Sequence, residues 1–538
     1  MRPWRLLSAR PLLTPAPSAT VRRPLATMAS TQAPAHGNGA PKRPNPGNKR
    51  AWKQKKTKRE KNITEGSSEE VLRYDILALL ESRRSEPGTD AADEGTNDDE
   101  PLPEEGTETE VEVLELASTG DGLAMRPGSS HVYVVPFTVP GDTARVNVFR
   151  HLRHEHHSVA DFISITKPSP LRDDARVRCR YFASCGGCQF QMLEYPEQLR
   201  LKRRVLDKAY RNFANLPAEL VPAVGDTIGS PLQYGYRTKL TPHFDGPPGF
   251  RPSKRGRNPK VPFASCPDIG FMQRGKRKVL DIEDCPIGTT AVRLGMARER
   301  ERMQREFNKY ERGATILLRE NTRRYLDGDG QEEAPPKDGD PLPPYTARSE
   351  GDGFVDVKSC ETDSKATTTE YYLIDAYSGS GLFTITLASV FQHSTGIDIA
   401  ADSIASARRN AALNGLGEDR CKFIAADAGQ LFRNVAYAPD ETVVVLDPPR
   451  KGCDADFLAQ LRRFGPRRVL YVSCNVHTQA RDVGVLVRGE GEGARYHLES
   501  LVGFDFFPQT GHVEGVAVLN RHESETDCKA DAAEQKDS

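Results

Sequence analysis

The sequence predicts an α/β C-terminal domain behind a small N-terminal β-barrel and a central α+β domain. Three observations lead there. From Tyr371 to about Arg521, apolar strand-like runs alternate with helical stretches, the pattern of a parallel sheet with crossover helices. Between residues 110 and 165, short β-rich runs are separated by Gly-Asp-Gly at 120–122 and Pro-Gly-Asp at 140–142, as in a small antiparallel barrel. Residues 168–312, between the two, hold closely spaced cysteines and a helix near 193–213.

Composition sets the outer limits. The chain has 538 residues, room for two or three domains beside polar tails. Hydrophobic residues make up 37%, with 44 Gly and 39 Pro, low for a chain folded throughout. The formal net charge of zero averages opposite regions: residues 1–59 contain no acid, whereas acids dominate from Asp98 to Glu115. No apolar run reaches the ~20 residues of a membrane helix, so no membrane partner is expected. The ten cysteines are thinly spread over a Lys/Arg-rich chain without a secretory signal, which argues against a disulfide framework. In a reducing compartment, clustered cysteines point instead to metal binding or catalysis.

Residues 1–67 are a basic tail. Its first 27 residues, rich in Arg, Ser and Ala, have the composition of a mitochondrial transit peptide, or form a tail without an address. Met28-Ala-Ser offers a second start and a nuclear or cytoplasmic form. The run at 41–61, with Lys53, Lys55, Lys56, Lys58 and Arg59, suits a nuclear signal, an RNA-binding arm or a solvated tail. Residues 68–82 form an amphipathic helix, followed by an acidic linker to residue 108. The barrel, residues 109–167, has expected strands at Val111–Leu116, His131–Phe137, Ala144–Phe149 and Val159–Ile165. Its last turn, with Arg150, His151, Arg153, His154, His156 and His157, is either a phosphate-facing edge or an ordinary exposed loop. Basic stretches at Lys202–Arg204, Arg251–Lys260 and Arg274–Lys278 offer further phosphate contacts. In the central domain, Cys179, Cys185 and Cys188 are spaced for iron–sulfur or zinc ligation, with Cys285 or Cys266 as a fourth ligand. Residues 313–370 are polar and variable, and residues 522–538 form a tail.

In the C-terminal domain, 371–521, a first strand ends in Asp375. Tyr377, Gly379 and Gly381 form the turn before a helix at Phe383–Val390. Glycines there let the backbone approach a ligand closely. A second strand ends in Asp398, about twenty residues past the glycines, where an acid suits a ribose diol. A third ends in Asp427 and a fourth runs into Asp447-Pro-Pro-Arg450. The series resembles class I S-adenosylmethionine methyltransferases rather than dehydrogenases. The fifth strand delivers Cys474 to its C-terminal end, the ligand side of an open α/β sheet. A lone Cys is more often a small buried hydrophobe, but this one lies between polar Ser473 and Asn475. Such a thiol suits uracil C5 chemistry. A thiolate adding to C6 makes C5 nucleophilic, and a base must then remove the C5 proton. Glu514 or His512 are the candidates for that base.

Four motifs, in order, make the resemblance specific: Asp-Ala-Tyr-Ser-Gly-Ser-Gly-Leu-Phe at 375–383, Asp-Pro-Pro-Arg-Lys-Gly at 447–452, Val-Ser-Cys-Asn at 472–475 and Phe-Pro-Gln-Thr-Gly-His-Val-Glu at 507–514. Together they resemble the RNA uracil-5-methyltransferase family across roughly residues 68–521, most of all its fungal tRNA uracil-54 members. The resemblance implies a Rossmann-like class I methyltransferase domain, a TRAM/OB-like RNA-binding barrel, S-adenosylmethionine as methyl donor and tRNA as partner of a monomer. It implies Cys474 as nucleophile and Glu514 as base. Asp398, Asp447 and the backbone around Gly379 would contact the cofactor, with Asp375, Tyr377 and Gly381 beside them; Asp427, at the end of the third strand, is added from its position alone as an adenine-side contact. It also implies a [4Fe–4S] cluster on Cys179, Cys185, Cys188 and Cys285, and a supporting role for Arg481-Asp482. One family segment, Phe-Phe-Gln-Asn-Asn and its helix, is not found between Glu361–Glu370 and Tyr372. A faulty gene model accounts for that, or a variant that binds tRNA without turnover; a ribosomal RNA target is the other alternative.

Overall fold

The computed structural model describes residues 64–84, 101–247, 262–320, 371–426, 432 and 435–522. The transit-like segment, the basic runs at 41–61 and Arg251–Lys260, most of 313–370, Asp427 and the C-terminal tail lie outside the described residues.

Helix α1 (Ser68–Arg84) starts on a Ser-x-x-Glu box. Ser67 Oγ accepts the Glu70 N–H and Glu70 Oε2 accepts the Gly66 N–H. Its apolar face, Ile76 and Leu79, packs on Leu123, Met125 and Val132 of the barrel. Buried Asp75 accepts from Ser118 N–H at 2.6 Å and lies 3.3 Å from Lys208 Nζ.

The barrel is closed by β1 (Glu108–Leu116), β2 (Gly122–Met125), β3 (Val132–Val135), β4 (Thr143–Leu152) and β5 (His157–Lys167), in the order β1-β2-β3-β5-β4. Two expectations need correction. β2 is an additional strand: Gly122–Met125 is buried on both sides, so it shows no alternation. β3 and β5 pair in parallel, not antiparallel. The basic turn also shrinks. Arg150 and His151 extend β4, His151 bonds Ser158 Oγ and the Pro103 carbonyl, and His157 is 3% exposed.

The central segment contributes α2 (Tyr195–Phe213), the short strands β6 (Lys239–Leu240), β7 (His243–Phe244), β8 (Gly270–Met272) and β9 (Val279–Asp281), α3 (Thr290–Glu306), β10 (Ala314–Thr315) and β11 (Leu318–Arg319). The strands form a β10-β7-β8-β9 sheet and a β11-β6 pair. Leu206, Ala209 and Tyr210 of α2 belong to the core of the C-terminal domain. One expected phosphate contact, Lys202, is corrected here. Lys202 is wholly buried on Asp505, while Arg203, Arg204 and Arg274 pair with Asp226, Glu115 and Asp121. Helical period 4 places Lys202 on the inner face with Gln198 and Leu206.

The C-terminal domain runs β12 (Tyr372–Ala376), α4 (Leu382–Thr386), β13 (His393–Asp398), α5 (Ala401–Leu413), β14 (Cys421–Ala425), β15 (Thr442–Leu446), α6 (Ala455–Phe464), β16 (Arg468–Ser473), α7 (Val476–Arg488), β17 (Tyr496–Phe504) and β18 (Glu514–Arg521). The sheet order is β14-β13-β12-β15-β16-β18-β17. β12 to β16 are parallel, and β18 runs antiparallel to both neighbours. α4 and α5 pack on one face, and α2, α6 and α7 on the other. The Rossmann-like expectation therefore holds for this domain, with an unforeseen terminal hairpin, β17–β18. Among the described residues, no helix is long and apolar enough to cross a membrane.

Candidate active site

Topology brings Cys474 and Glu514 together. β16 ends at Ser473 and β18 begins at Glu514, and Ser473 pairs with Gly515 across the antiparallel ladder. The two residues are thus neighbours at the carboxyl end of β16, inside the sheet, although forty positions apart in sequence. A buried amide clips the strands: Gln479 Nε2, from α7, donates to the Tyr471 carbonyl at 2.7 Å and the Gly515 carbonyl at 2.9 Å.

Four ionisable groups share this corner: Cys474, Glu514, Asp447 and Arg450. Burial pushes the Cys474 thiol above its usual value. The Glu514 carboxylate adds to the rise, while Arg450, by charge and a hydrogen bond, opposes it. Burial, with Asp447 close by, lifts Glu514 to about 7, and again Arg450 opposes. Burial alone raises Asp447. His512, exposed at its surface but partly desolvated, is pushed down by that desolvation and then by Arg450, Lys202 and Arg237. A carboxyl that titrates near 7 is the better-matched proton acceptor of the two.

The loop behind the thiol is held firmly. Asp482 is buried, and it accepts from the Cys453 N–H at 2.7 Å, the Tyr471 hydroxyl at 2.6 Å and Arg481. Arg481 also donates to the Lys451 and Cys453 carbonyls. Gly452, at φ +75°, lets this loop pass, since an added Cβ would lie 2.5 Å from Arg481 Nη2.

At the ends of β12 and β13 lies a cradle. Asp398 Oδ2 accepts the Gly379 N–H at 3.0 Å, and Oδ1 accepts the Ala400 N–H at 2.7 Å. Gly379 has φ +52° and open space beyond its Cα. Gly381, at φ +92°, caps α4 against Phe423 and Ala407. Asp375 is fully buried, and its Oδ2 accepts from the backbone and hydroxyl of Thr384. Burial raises its pKa to about 6. Among the described residues, Asp375 Oδ1 and Ser378 Oγ are buried without hydrogen-bond partners. Tyr377 turns its ring inward on Phe457, so only its backbone, at φ +66°, faces the turn.

Cys179, Cys185, Cys188 and Cys285 converge in the central segment. Burial, with the neighbouring thiols adding to it, pushes Cys188 up to about 11 and Cys285 up to about 12. Cys266 lies apart, beside Arg300, Asp281 and Asp268. As placed, no group of three or more His, Cys, Asp or Glu among the described residues is close enough to hold a metal ion.

Sequence reasoning missed Arg450, Gln479 and Lys202. Arg450 had a signal, its place directly after Asp-Pro-Pro, whereas the partners of Gln479 and Lys202 appear only in the fold.

A family model for tRNA (uracil-5-)-methyltransferases matches residues 360–522. The tRNA (uracil(54)-C(5))-methyltransferase of Schizosaccharomyces pombe is 38% identical over 492 residues, covering 88% of this chain and 87% of the relative. The enzyme of the same description from Saccharomyces cerevisiae is 35% identical over 481 residues, covering 76% and 73%. A crystal structure of Pyrococcus abyssi tRNA (uracil-54, C5)-methyltransferase with S-adenosyl-L-homocysteine is 25% identical, with a TM-score of 0.49, over 76% of this chain and 100% of that one. By its likeness along most of its length to the two fungal enzymes, this chain belongs to the tRNA (uracil-5-)-methyltransferase family.

Proposed function

We propose that this chain methylates C5 of a uridine in tRNA, at T-loop position 54, with S-adenosylmethionine as donor. The observation that carries the reading is the meeting of Cys474, Glu514, Asp447 and Arg450 at the ligand end of the sheet. The cradle suits the cofactor: an open glycine turn, an acid at the end of β13 and two orphaned buried polar atoms line it. When bound, S-adenosylmethionine supplies an electrophilic methyl group.

The chain's own residues do the rest. Arg450 opposes the burial that keeps Cys474 protonated. The thiolate adds to C6 of the flipped uracil, and electron density moves to C5, which takes the methyl. Glu514 then removes the C5 proton, and the C6–S bond breaks as the double bond re-forms. Incorporation of labelled methyl into unmodified tRNA, with wild type and Cys474→Ala compared, tests the reading; equal incorporation rejects it.

Two finer assignments belong to the same proposal. The barrel serves as a TRAM/OB-like RNA-binding module, on the strength of its closed five-stranded form. A [4Fe–4S] cluster on Cys179, Cys185, Cys188 and Cys285 is the second: these thiols lie near enough to act on one another electrostatically, but as placed no three of them are close enough to hold a metal, so the loop at 179–188 and residue 285 would have to close around the cluster. No step of the methyl transfer runs through it. Iron and sulfide analysis of anaerobically purified protein tests that assignment, and their absence rejects it.

A further inference from the structure

The segment just ahead of α1 reaches the back of the catalytic corner. Asn475, next to Cys474, uses Oδ1 to cap α7 through the His477 N–H. Its Nδ2 donates two hydrogen bonds, to the Gly66 carbonyl at 3.1 Å and the Arg450 carbonyl at 3.0 Å. Thr478 Oγ1 donates to the same Arg450 carbonyl at 3.1 Å. Beside them, Glu65 Oε2 lies 3.1 Å from Arg481 Nη1. Gly66 fits because it has no side chain: its φ is +71°, and an added Cβ would meet Thr478 Cγ2 at 2.5 Å. On its other side, α1 is anchored to the barrel by Ile76, Leu79 and Asp75. Tyr74 packs on Phe213 of α2, which in turn packs on His477 of α7.

We infer that Glu65–Gly66 is a positioning strap: it ties the barrel-bound helix α1 to Asn475 and so fixes Arg450 against Cys474 and Glu514. The inference rests on the reading of Cys474 as nucleophile. Gly66 is the stronger half of the strap, because Glu65 is more than half exposed and an exposed ion pair contributes little. The charged groups that act on the Cys474 thiol are Glu514, Arg450 and Asp447. Only Arg450 favours the thiolate, so a displaced Arg450 leaves the thiol harder to ionise.

The test uses the full chain and two readouts. Turnover on unmodified tRNA gives kcat and KM. Alkylation of Cys474 by iodoacetamide across pH, followed by peptide mass spectrometry, reports the thiolate without turnover. Gly66→Ala should lower kcat about tenfold, a typical loss for a displaced catalytic group, while KM for tRNA stays within about twofold. The alkylation midpoint should move to higher pH. Adding Thr478→Ser, which removes the obstructing methyl but keeps the hydroxyl, should recover part of both changes. Unchanged kcat and midpoint in a folded Gly66→Ala protein overturn the strap, as does a lowered melting temperature with normal kcat in the folded fraction. Should Gly66→Ala not fold, Glu65→Ala must shift both readouts in the same direction by about twofold, and wild-type values overturn the inference. An active Cys474→Ala enzyme overturns the nucleophile reading itself. An inactive one beside an unaltered Gly66→Ala enzyme overturns the strap alone.

Discussion

Lys202→Met should be among the most damaging single substitutions outside the catalytic corner. Lys202 lies on α2, far in sequence from the base, and both it and Asp505 are fully buried. Its Nζ stands 2.5 Å from Asp505 Oδ1 and donates to the Phe507 carbonyl at 3.1 Å. Methionine keeps the apolar stem and removes the charge. Asp505 is then left buried without its cation, with the Phe507 N–H still donating to Oδ1 and the Tyr195 hydroxyl close by. Stranding one member of a buried pair costs about 3–5 kcal/mol. Replacing both, in Lys202→Met/Asp505→Asn, leaves no buried charge and should cost clearly less than the sum of the single changes. Asp505→Asn alone should lie between, because burial already pushes the Lys202 pKa down and the amine can shed its proton. The sign follows: a lysine whose folded pKa is depressed favours the folded state more as pH rises through that value, so the Asp505→Asn deficit should shrink toward alkaline pH. Urea unfolding followed by far-ultraviolet circular dichroism measures all three variants, with turnover measured alongside because residues 505–513 lead into Glu514. A Lys202→Met cost under about 1 kcal/mol, equal to that of an exposed lysine, refutes the reasoning.

Three further outcomes follow from the corner itself. Glu514→Gln should trap the protein–tRNA adduct after methyl transfer, visible as a denaturant-stable band in gels that Cys474→Ala abolishes; no band means another group takes the proton. With wild type, single-turnover rate should rise as pH passes about 7, where Glu514 loses its proton, and go on rising toward the raised thiol value. A flat profile between pH 6 and 8 counts against that base. Gly452→Ala forces a side chain into φ +75° and against Arg481 and Asp482. It should cost about 2–3 kcal/mol in urea unfolding, together with lost kcat, and a change within experimental error counts against the supporting loop.

Cys474 was legible because an apolar run ends abruptly in polar residues, which strand periodicity alone detects. Glu514 was legible for the same reason in mirror image, an acid opening an apolar run. That they would meet was less visible. It depends on β18 entering the sheet antiparallel beside β16, and the preceding strand, Tyr496–Phe504, has an irregular register at Leu498/Ser500. Lys202 misled because Lys-Arg-Arg looks like a phosphate-binding surface. Its spacing of four from Gln198 and Leu206 carried the correct sign, and the acid it needed was more than three hundred residues away. Arg450 shows the same limit: charge at a position can be read from sequence, but what that charge faces is set by the sheet.

The division into barrel, central segment and methyltransferase domain is a division of sequence more than of energetics. The loop that carries Glu514 is built from all three. Gln189, one residue past Cys188, donates its backbone N–H to the Gln509 carbonyl at 2.7 Å, as Phe190 does at 3.1 Å. The Gln189 side chain donates to Thr119 of the barrel and accepts the Gly511 N–H. Gln198 of α2 exchanges two hydrogen bonds with Gln509, which holds the left-handed φ of +70°. Gln198 and Gln509 are buried, so a bond broken between them leaves an orphaned polar atom, at a cost of about 1–3 kcal/mol. Such a junction resists piecemeal opening. It also gives the cysteine loop a physical reason to lie where it does: whatever orders residues 185–190 orders the approach to the base, without taking part in the chemistry.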